Sequence, residues 1–297
     1  MMYHNPVLLF ESVDGLAIVP NGVYIDVTFG GGGHSREILK RLGPEGKLFA
    51  FDQDEDAQNN RIDDERFTLV SENFRHIKRF LKFYGITKVN GILADLGVSS
   101  HQFDVAERGF STRFDADLDM RMSKKQQVSA YQVLNEYDAS ALSDIFYRYG
   151  ELSNAKAFAA RVVECRSKQP LKTSFELIAY LEGLVPKKVA NKVLAQVFQA
   201  LRIEVNQELD VLQEFLLQAP ELLVKGGRLS VISYHSLEDR LVKRFMKNGK
   251  FEGEPEKDFY GNINVPFKTQ KLIVPSAKEV GNNNRARSAR LRIATKL

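Results

Sequence analysis

Two short stretches of this sequence hold the residue types from which chemistry is built. The first is Asp26-Val27-Thr28-Phe29-Gly30-Gly31-Gly32-Gly33-His34-Ser35, where an apolar run ends on an acid and enters four consecutive glycines. Glycine lets the backbone turn at positive φ and lets a ligand approach with no Cβ in the way. Asp52 follows 26 residues after Asp26, at the end of the next apolar run. An acid placed there can accept hydrogen bonds from both ribose hydroxyls of an adenosine-containing ligand. The second stretch is Asp95-Leu96-Gly97-Val98-Ser99-Ser100-His101-Gln102. A carboxylate and hydroxyls at a strand end can face a cofactor and a substrate amine together. Asp95, or a backbone carbonyl beside it, is placed to orient such an amine and stabilise its developing charge, and is the candidate catalytic group.

The glycines are contiguous and lack the G-x-G-x-x-G spacing that sets a pyrophosphate on a helix N-terminus. They suit a smaller zwitterionic ligand such as S-adenosylmethionine, and leave NAD open. The single cysteine, Cys165, sits on the apolar side of a helical pattern and reads as a core residue. Methylation of a pyrimidine ring carbon usually needs a cysteine nucleophile. If the substrate is a base, transfer to nitrogen or oxygen is therefore favoured. One cysteine builds neither a disulfide framework nor a cysteine-rich zinc site. The histidines (His4, His34, His76, His101 and His235) form no H-x-x-x-H pair, so no metal is expected.

These residues need elements to hold them. Residues 22–27, 47–52, 66–70 and 91–95 read as strands, and residues 35–42 and 74–84 as helices between them. Such alternation implies βαβ units and a parallel sheet. From about Phe110 to Ile203 strand signals vanish. Helical spacing appears at Leu142, Ile145, Phe146 and Tyr149, and again at Phe158, Val162 and Cys165. Thr173-Ser174-Phe175-Glu176 is a capping-box pattern. Residues 206–219 and 239–246 are then expected as helices, 228–234 as a strand, 248–264 as a loop, and 271–274 and 288–293 as closing strands. The expected architecture is an α/β Rossmann-like core of mostly parallel sheet, residues 1–108 and 206–297, interrupted by a helical insertion, residues 109–205.

The chain has 297 residues, 43% of them hydrophobic, and a formal charge of +4. That is enough for a sizeable core, with a basic balance compatible with a nucleic-acid partner. Two acid-free basic runs stand out, Pro186 to Ile203 and Arg285 to Leu297. No run approaches the ~18 apolar residues that span a membrane. Residues 1–20 have no basic n-region, so a soluble cytoplasmic protein is expected.

Several strings resemble one family from end to end. They are His4-Asn5-Pro6-Val7-Leu8-Leu9, Asp26 to Ser35, Asp95 to Gln102, Glu107-Arg108-Gly109-Phe110-Ser111, Leu118-Asp119-Met120-Arg121-Met122, Gly226-Gly227-Arg228-Leu229, His235-Ser236-Leu237-Glu238-Asp239-Arg240 and Arg285-Ala286-Arg287-Ser288. They are similar to the ribosomal RNA small subunit methyltransferase H (MraW) family. The chain departs from that pattern at His101, where the family often has Pro, and at Ala116-Asp117, where it often has Gly-Pro. The resemblance implies a class I methyltransferase core, S-adenosylmethionine as donor, and the N4 amine of a cytosine in the decoding region of 16S ribosomal RNA as acceptor. It implies cofactor contacts at Gly32, Gly33, His34, Asp52, Phe74, Asp95 and Gln102. Phe74 would meet the adenine. The L-D-M-R-M string is expected to order the join between domains, and the H-S-L-E-D-R string to line the substrate cleft. Arg285, Arg287 and Arg290 are candidates for RNA contact, on free ribosomal RNA or the small ribosomal subunit, and a homodimer is compatible with the sequence. The rival readings are an RNA-binding assembly factor with a vestigial cofactor pocket and an NAD-dependent oxidoreductase.

Overall fold

The computed structural model describes residues 6–255, 259–260, 263 and 265–297. His4, Asn5 and part of the expected loop 248–264 lie outside the described residues. The chain forms two compact units, Met1–Gly97 with Leu209–Leu297, and Val98–Glu208.

The first unit holds seven strands: β1 Val23–Asp26, β2 Lys47–Phe51, β3 Phe67–Val70, β4 Val89–Asp95, β5 Leu223–Ser233, β6 Phe267–Thr269 and β7 Arg290–Lys296. They lie in the order β3-β2-β1-β4-β5-β7-β6. β1 to β5 pair in parallel, whereas β7 runs antiparallel to both β5 and β6. The sheet is covered on both faces, as parallel sheets must be. Ile25, Phe49, Phe51, Ile92 and Ala94 face a cluster with Ile77, Leu81, Leu212, Phe215, Val242 and Phe245. Tyr24, Leu48, Ala50 and Leu93 face the other side, against Val13, Ile38 and Leu39. The alternation of side chains along each strand thus builds two cores from one sheet.

Several details differ from the sequence reading, among them β5, which begins at Leu223 rather than at 228. The first helix after β1 starts at Gly33, because Gly32 caps it in the left-handed conformation (φ 75°). The helix expected at 74–84 begins as a 3-10 turn, Phe74–His76, which Asn73 caps, and becomes α-helical only over Ile77–Phe83. The helix expected from 206 starts at Glu208, because Gln207 is left-handed (φ 51°) and ends the preceding helix, Ala190–Asn206. That later helix then runs through Pro220 to Leu222, where burial of Ala219 and Leu222 offsets the lost backbone bond. Residues 271–274 form no strand; only Ile273 bridges, to Leu291. The strand beside β7 is instead the three-residue β6.

The second unit is helical, with helices Ala130–Glu136, Ala139–Arg148, Ala155–Arg166, Ser174–Leu181 and Ala190–Asn206 around Leu134, Leu142, Phe146, Phe158, Leu177 and Leu201. The expected capping box of Thr173 and Glu176 is present, and Ser129 with Gln132 forms another. Cys165 is buried. The L-D-M-R-M string is a clasp inside this unit. Leu118 N–H donates to the Lys172 carbonyl, Met122 N–H to Asn206 Oδ1, and Asn206 Nδ2 to the Met120 carbonyl. Arg121 pairs with Asp119 at 2.6 Å.

Gly109 of the E-R-G-F-S string explains its own identity. Its φ is 71°, and an added Cβ would lie 2.3 Å from the Asp117 carbonyl oxygen. Gly109→Ala is expected to destabilise this unit by about 3 kcal/mol through strain and overpacking. Gly183→Ala, which meets nothing within 4 Å, should stay within about 0.5 kcal/mol of the parent. Denaturant unfolding of the two variants checks the contrast.

Candidate active site

In an open α/β sheet, ligands bind beyond the carboxyl ends of the strands where the strand order reverses. Here that point lies between β1 and β4, which end on Asp26 and Asp95. Asp52 follows β2 directly, and Glu238 lies in the helix Ser236–Asn248 that follows β5.

The turn after β1 is held from several directions. Gly30 N–H donates to Asp52 Oδ2 at 2.7 Å, and Asn60 Nδ2 donates to the Gly30 carbonyl at 2.9 Å. Arg36 Nη1 donates to the Gly31 carbonyl at 2.6 Å. A Cβ on Gly32 would meet the Phe29 ring at 2.9 Å, and one on Gly33 would meet Pro6 at 2.1 Å. The glycines at 32 and 33 are thus required by the protein's own packing, a reason the sequence reading did not supply. Asp26 is fully buried. Its Oδ1 accepts from Thr28 N–H at 3.1 Å and its Oδ2 from Ser35 Oγ at 2.7 Å.

Asp95 sits next to this turn. Its N–H donates to Thr28 Oγ1 at 2.6 Å, its Oδ1 accepts from Tyr234 Oη at 2.7 Å, and its Oδ2 lies 3.8 Å from His34 Nδ1. Burial pushes the Asp95 carboxyl up to about 7; the Tyr234 bond opposes the rise and the Glu238 charge adds to it. Burial also raises Asp52, to about 6, against the N–H groups of Asp54 and Gly30. Asp26 is raised by burial and His34 lowered by it, the two partly restoring each other's charged form. Burial and the Asp95 charge hold the Tyr234 phenol well above its ordinary range.

Gly32, Gly33, His34, Asp52 and Asp95 are therefore brought to the carboxyl edge of one sheet. Phe74 lies in the same unit, half-buried and edge-on to Phe215 at 5.4 Å, so one side of its ring is already packed. Gln102 belongs to the other unit. Its Oε1 accepts from Ser99 N–H and its N–H donates to Ser99 Oγ, a capping box that opens the helix Ser100–Asp104. Arg285 and Arg287 lie on the 3-10 turn Asn284–Ser288. Arg290 is joined to Asp239 at 3.0 Å, beside Arg292 at 2.6 Å. Burial raises the Asp239 carboxyl, but the arginines outweigh it and hold the group below its usual range. The H-S-L-E-D-R string is accordingly bonded into the fold. Glu238 accepts from Tyr234 N–H and His235 N–H, His235 caps the helix, and Asp239 anchors β7. Sequence reasoning missed Tyr234 and Thr28; their position at the ends of β5 and β1 was the available signal.

Where they are ionised, carboxyl groups at this edge would repel a pyrophosphate and favour a ligand carrying sulfonium and ammonium charge. Each Asp52 oxygen accepts one backbone N–H and keeps a lone pair for a ribose hydroxyl. The residues fit the cofactor. A sheet in this strand order, with one antiparallel strand and an acid-glycine turn after β1, is the core of a class I S-adenosylmethionine-dependent methyltransferase.

Within that class the chain belongs to the MraW methylase family, which it matches over residues 1–297. It is similar to the ribosomal RNA small subunit methyltransferase H of Flavobacterium johnsoniae, 68% identical over 100% of this chain and 99% of the relative. That of Christiangramia forsetii is 64% identical over the same shares. Among solved structures, an rRNA methylase from Streptococcus thermophilus aligns with a TM-score of 0.41 at 14% identity, covering 100% of this chain and 99% of that one.

Asp52→Asn is expected to weaken S-adenosylhomocysteine binding about 10–100-fold, the scale of hydrogen bonds to a charged acceptor. In the parent, affinity should rise from pH 5 to 7, because the accepting carboxylate forms as the group loses its proton near about 6. Calorimetric titration at several pH values reads both effects; a flat profile with an unchanged Asn variant would remove Asp52 from the site.

Proposed function

We propose that this protein methylates the N4 exocyclic amine of a cytosine in the decoding region of 16S ribosomal RNA. The observation that carries the reading is the placement of Asp95. Its carboxyl closes β4 beside the strand-order reversal, bonded to Tyr234 and facing His34. Bound S-adenosylmethionine supplies an electrophilic methyl group. What the chain adds is an acceptor for the amine hydrogens. A carboxylate at Asp95 can hold the exocyclic amine by an N–H···O bond, keep its nitrogen lone pair directed, and take up the proton that amino methylation releases. The helical character and burial of Cys165 leave ring-carbon methylation without a nucleophile at that residue.

The names of the relatives support ribosomal RNA of the small subunit as the acceptor. The target base would leave its stack to reach Asp95, at a cost of a few kcal/mol, least in a single-stranded loop. We assign phosphate contact to Arg285 and Arg287. Arg290 would contribute with the part of its guanidinium that Asp239 leaves open; its side chain is 52% exposed. The helical unit would hold the surrounding RNA. The protein acts on free RNA or on small subunits; no helix among the described residues is long and apolar enough to cross a membrane.

Transfer of radiolabel to small subunits lacking the modification, followed by nucleoside analysis, tests the reading. Label in N4-methylcytidine is expected; label in another nucleoside overturns the target atom. Asp95→Ala should lower transfer by about 10²–10⁴-fold, the usual range for a positioned acid or base. Arg287→Ala should weaken RNA binding and reduce the slope of log affinity against log salt by about 1, measured by filter binding between low and moderate salt.

A further inference from the structure

His34 has a tautomer that its surroundings dictate. Its Nε2 lies 3.3 Å from the carbonyl oxygen of Val7. A carbonyl can only accept, so Nε2 carries the hydrogen, and in the neutral ring Nδ1 is left with a lone pair. Asp95 Oδ2 lies 3.8 Å from that nitrogen, just beyond hydrogen-bond reach. The Tyr234 hydroxyl occupies Oδ1 and so fixes which carboxyl oxygen faces the imidazole. The ring is 5% exposed and has little water to intervene. The two nearest atoms of the pair are thus both acceptors, and one hydrogen between them would join them once the gap closes.

We propose that Asp95 Oδ2 and His34 Nδ1 share a single proton, and that His34 is a positioning residue governing when Asp95 is free to accept from the substrate amine. This rests on the reading of Asp95 given above. The step balances simply. The amine N–H bond breaks, its electron pair stays on nitrogen, and the proton passes to Asp95 Oδ2, where His34 Nδ1 accepts a hydrogen bond from it. Closing the separation to hydrogen-bond length needs only a small side-chain adjustment, as is common when catalytic contacts tighten on ligand binding.

The charged and titratable groups around the pair agree with this. From β1, Asp26 faces His34 and favours positive charge on the ring, but burial outweighs it and keeps the imidazole neutral. Desolvation holds the proton on Asp95 up to about 7, against the Tyr234 hydrogen bond and with a smaller contribution from Glu238 in the helix after β5. Burial first, then the Asp95 charge and hydrogen bond, with Glu238 and Glu279 adding to them, keep the Tyr234 phenol protonated, and therefore a donor. Below about 7 the shared proton is in place and Asp95 has no capacity to accept. Above it Asp95 is a carboxylate, and transfer rises with pH.

The proton itself can be observed without turnover. In protein labelled with ¹⁵N-histidine and ¹³C-aspartate, His34 should be neutral with hydrogen on Nε2 at pH 7, and the Asp95 carboxyl carbon should titrate near 7. His34→Gln and Asp95→Asn identify the two signals by their loss. In His34→Asn the amide can donate to Oδ2 and stabilise the carboxylate. The Asp95 midpoint should then fall by about one unit, tenfold in proton affinity, and the rising limb of the kcat–pH profile should move with it. A residue that merely supports the turn would lower activity at all pH values and leave the midpoint in place. An imidazolium, or hydrogen on Nδ1, in the parent protein overturns the proposal even if the variants do not fold. So does an unmoved midpoint in a folded His34→Asn variant. Label appearing in a nucleoside other than N4-methylcytidine would count against the substrate reading and leave these spectra unaffected.

Discussion

The carboxylate of Asp26 has no exposed surface and spends both oxygens on the segment that follows it. One oxygen holds the Thr28 amide and the other the Ser35 hydroxyl, so the turn and the first helical residues are tied to the end of β1. Thr28 in turn accepts the Asp95 amide through its hydroxyl, which ties the end of β4 to the same point. A buried charge without such bonds would be prohibitively costly. With them, Asp26 sets the distance between the two strand ends where the sheet order reverses. His34, Asp52 and Asp95 inherit their positions from this arrangement. Gly30, which donates to Asp52, lies in the turn that Asp26 holds, and His34 directly precedes the Ser35 that is bonded to Asp26.

The strings that stand out in the sequence divide into those at the carboxyl edge of the sheet and those that maintain the scaffold. The acid-glycine string and Asp95 belong to the first group. The L-D-M-R-M string belongs to the second: it is an irregular strap whose backbone groups are taken up by Asn206, Lys172 and Tyr131 within the helical unit. The H-S-L-E-D-R string is mixed. Glu238 and Asp239 satisfy backbone amides and arginines, yet Glu238 also adds to the field that sets the proton affinity of Asp95.

The first four strands were legible because a sheet covered on both faces demands continuous apolar runs, and three of the four runs end at or beside an acid, Asp26, Asp52 and Asp95. The helical character of residues 130–206 was legible from spacing and from the Thr173 capping box. β6 was not, because three residues with one buried side chain, Phe267, leave no periodicity to read. The break at Gln207 was hidden for a similar reason, since a non-glycine residue in the left-handed conformation has no compositional mark. At the site, residue types exposed Asp26, Asp52 and Asp95. The role of Tyr234 depends on β5 lying beside β4, a pairing across the whole helical unit that no local pattern encodes. Gly33 shows the opposite case: the residue stood out, but its neighbour is Pro6 and only the fold reveals that.

β7 follows β6 in the chain yet lies between β5 and β6 in the sheet. During synthesis β6 therefore emerges before the strand that will carry it. Its partner groups are absent until β7 has been added, and it must wait as an unpaired segment. The β5 edge likewise has no partner on that side until β7 is added. The sheet can therefore close only when its last strand, β7, takes its place between β5 and β6.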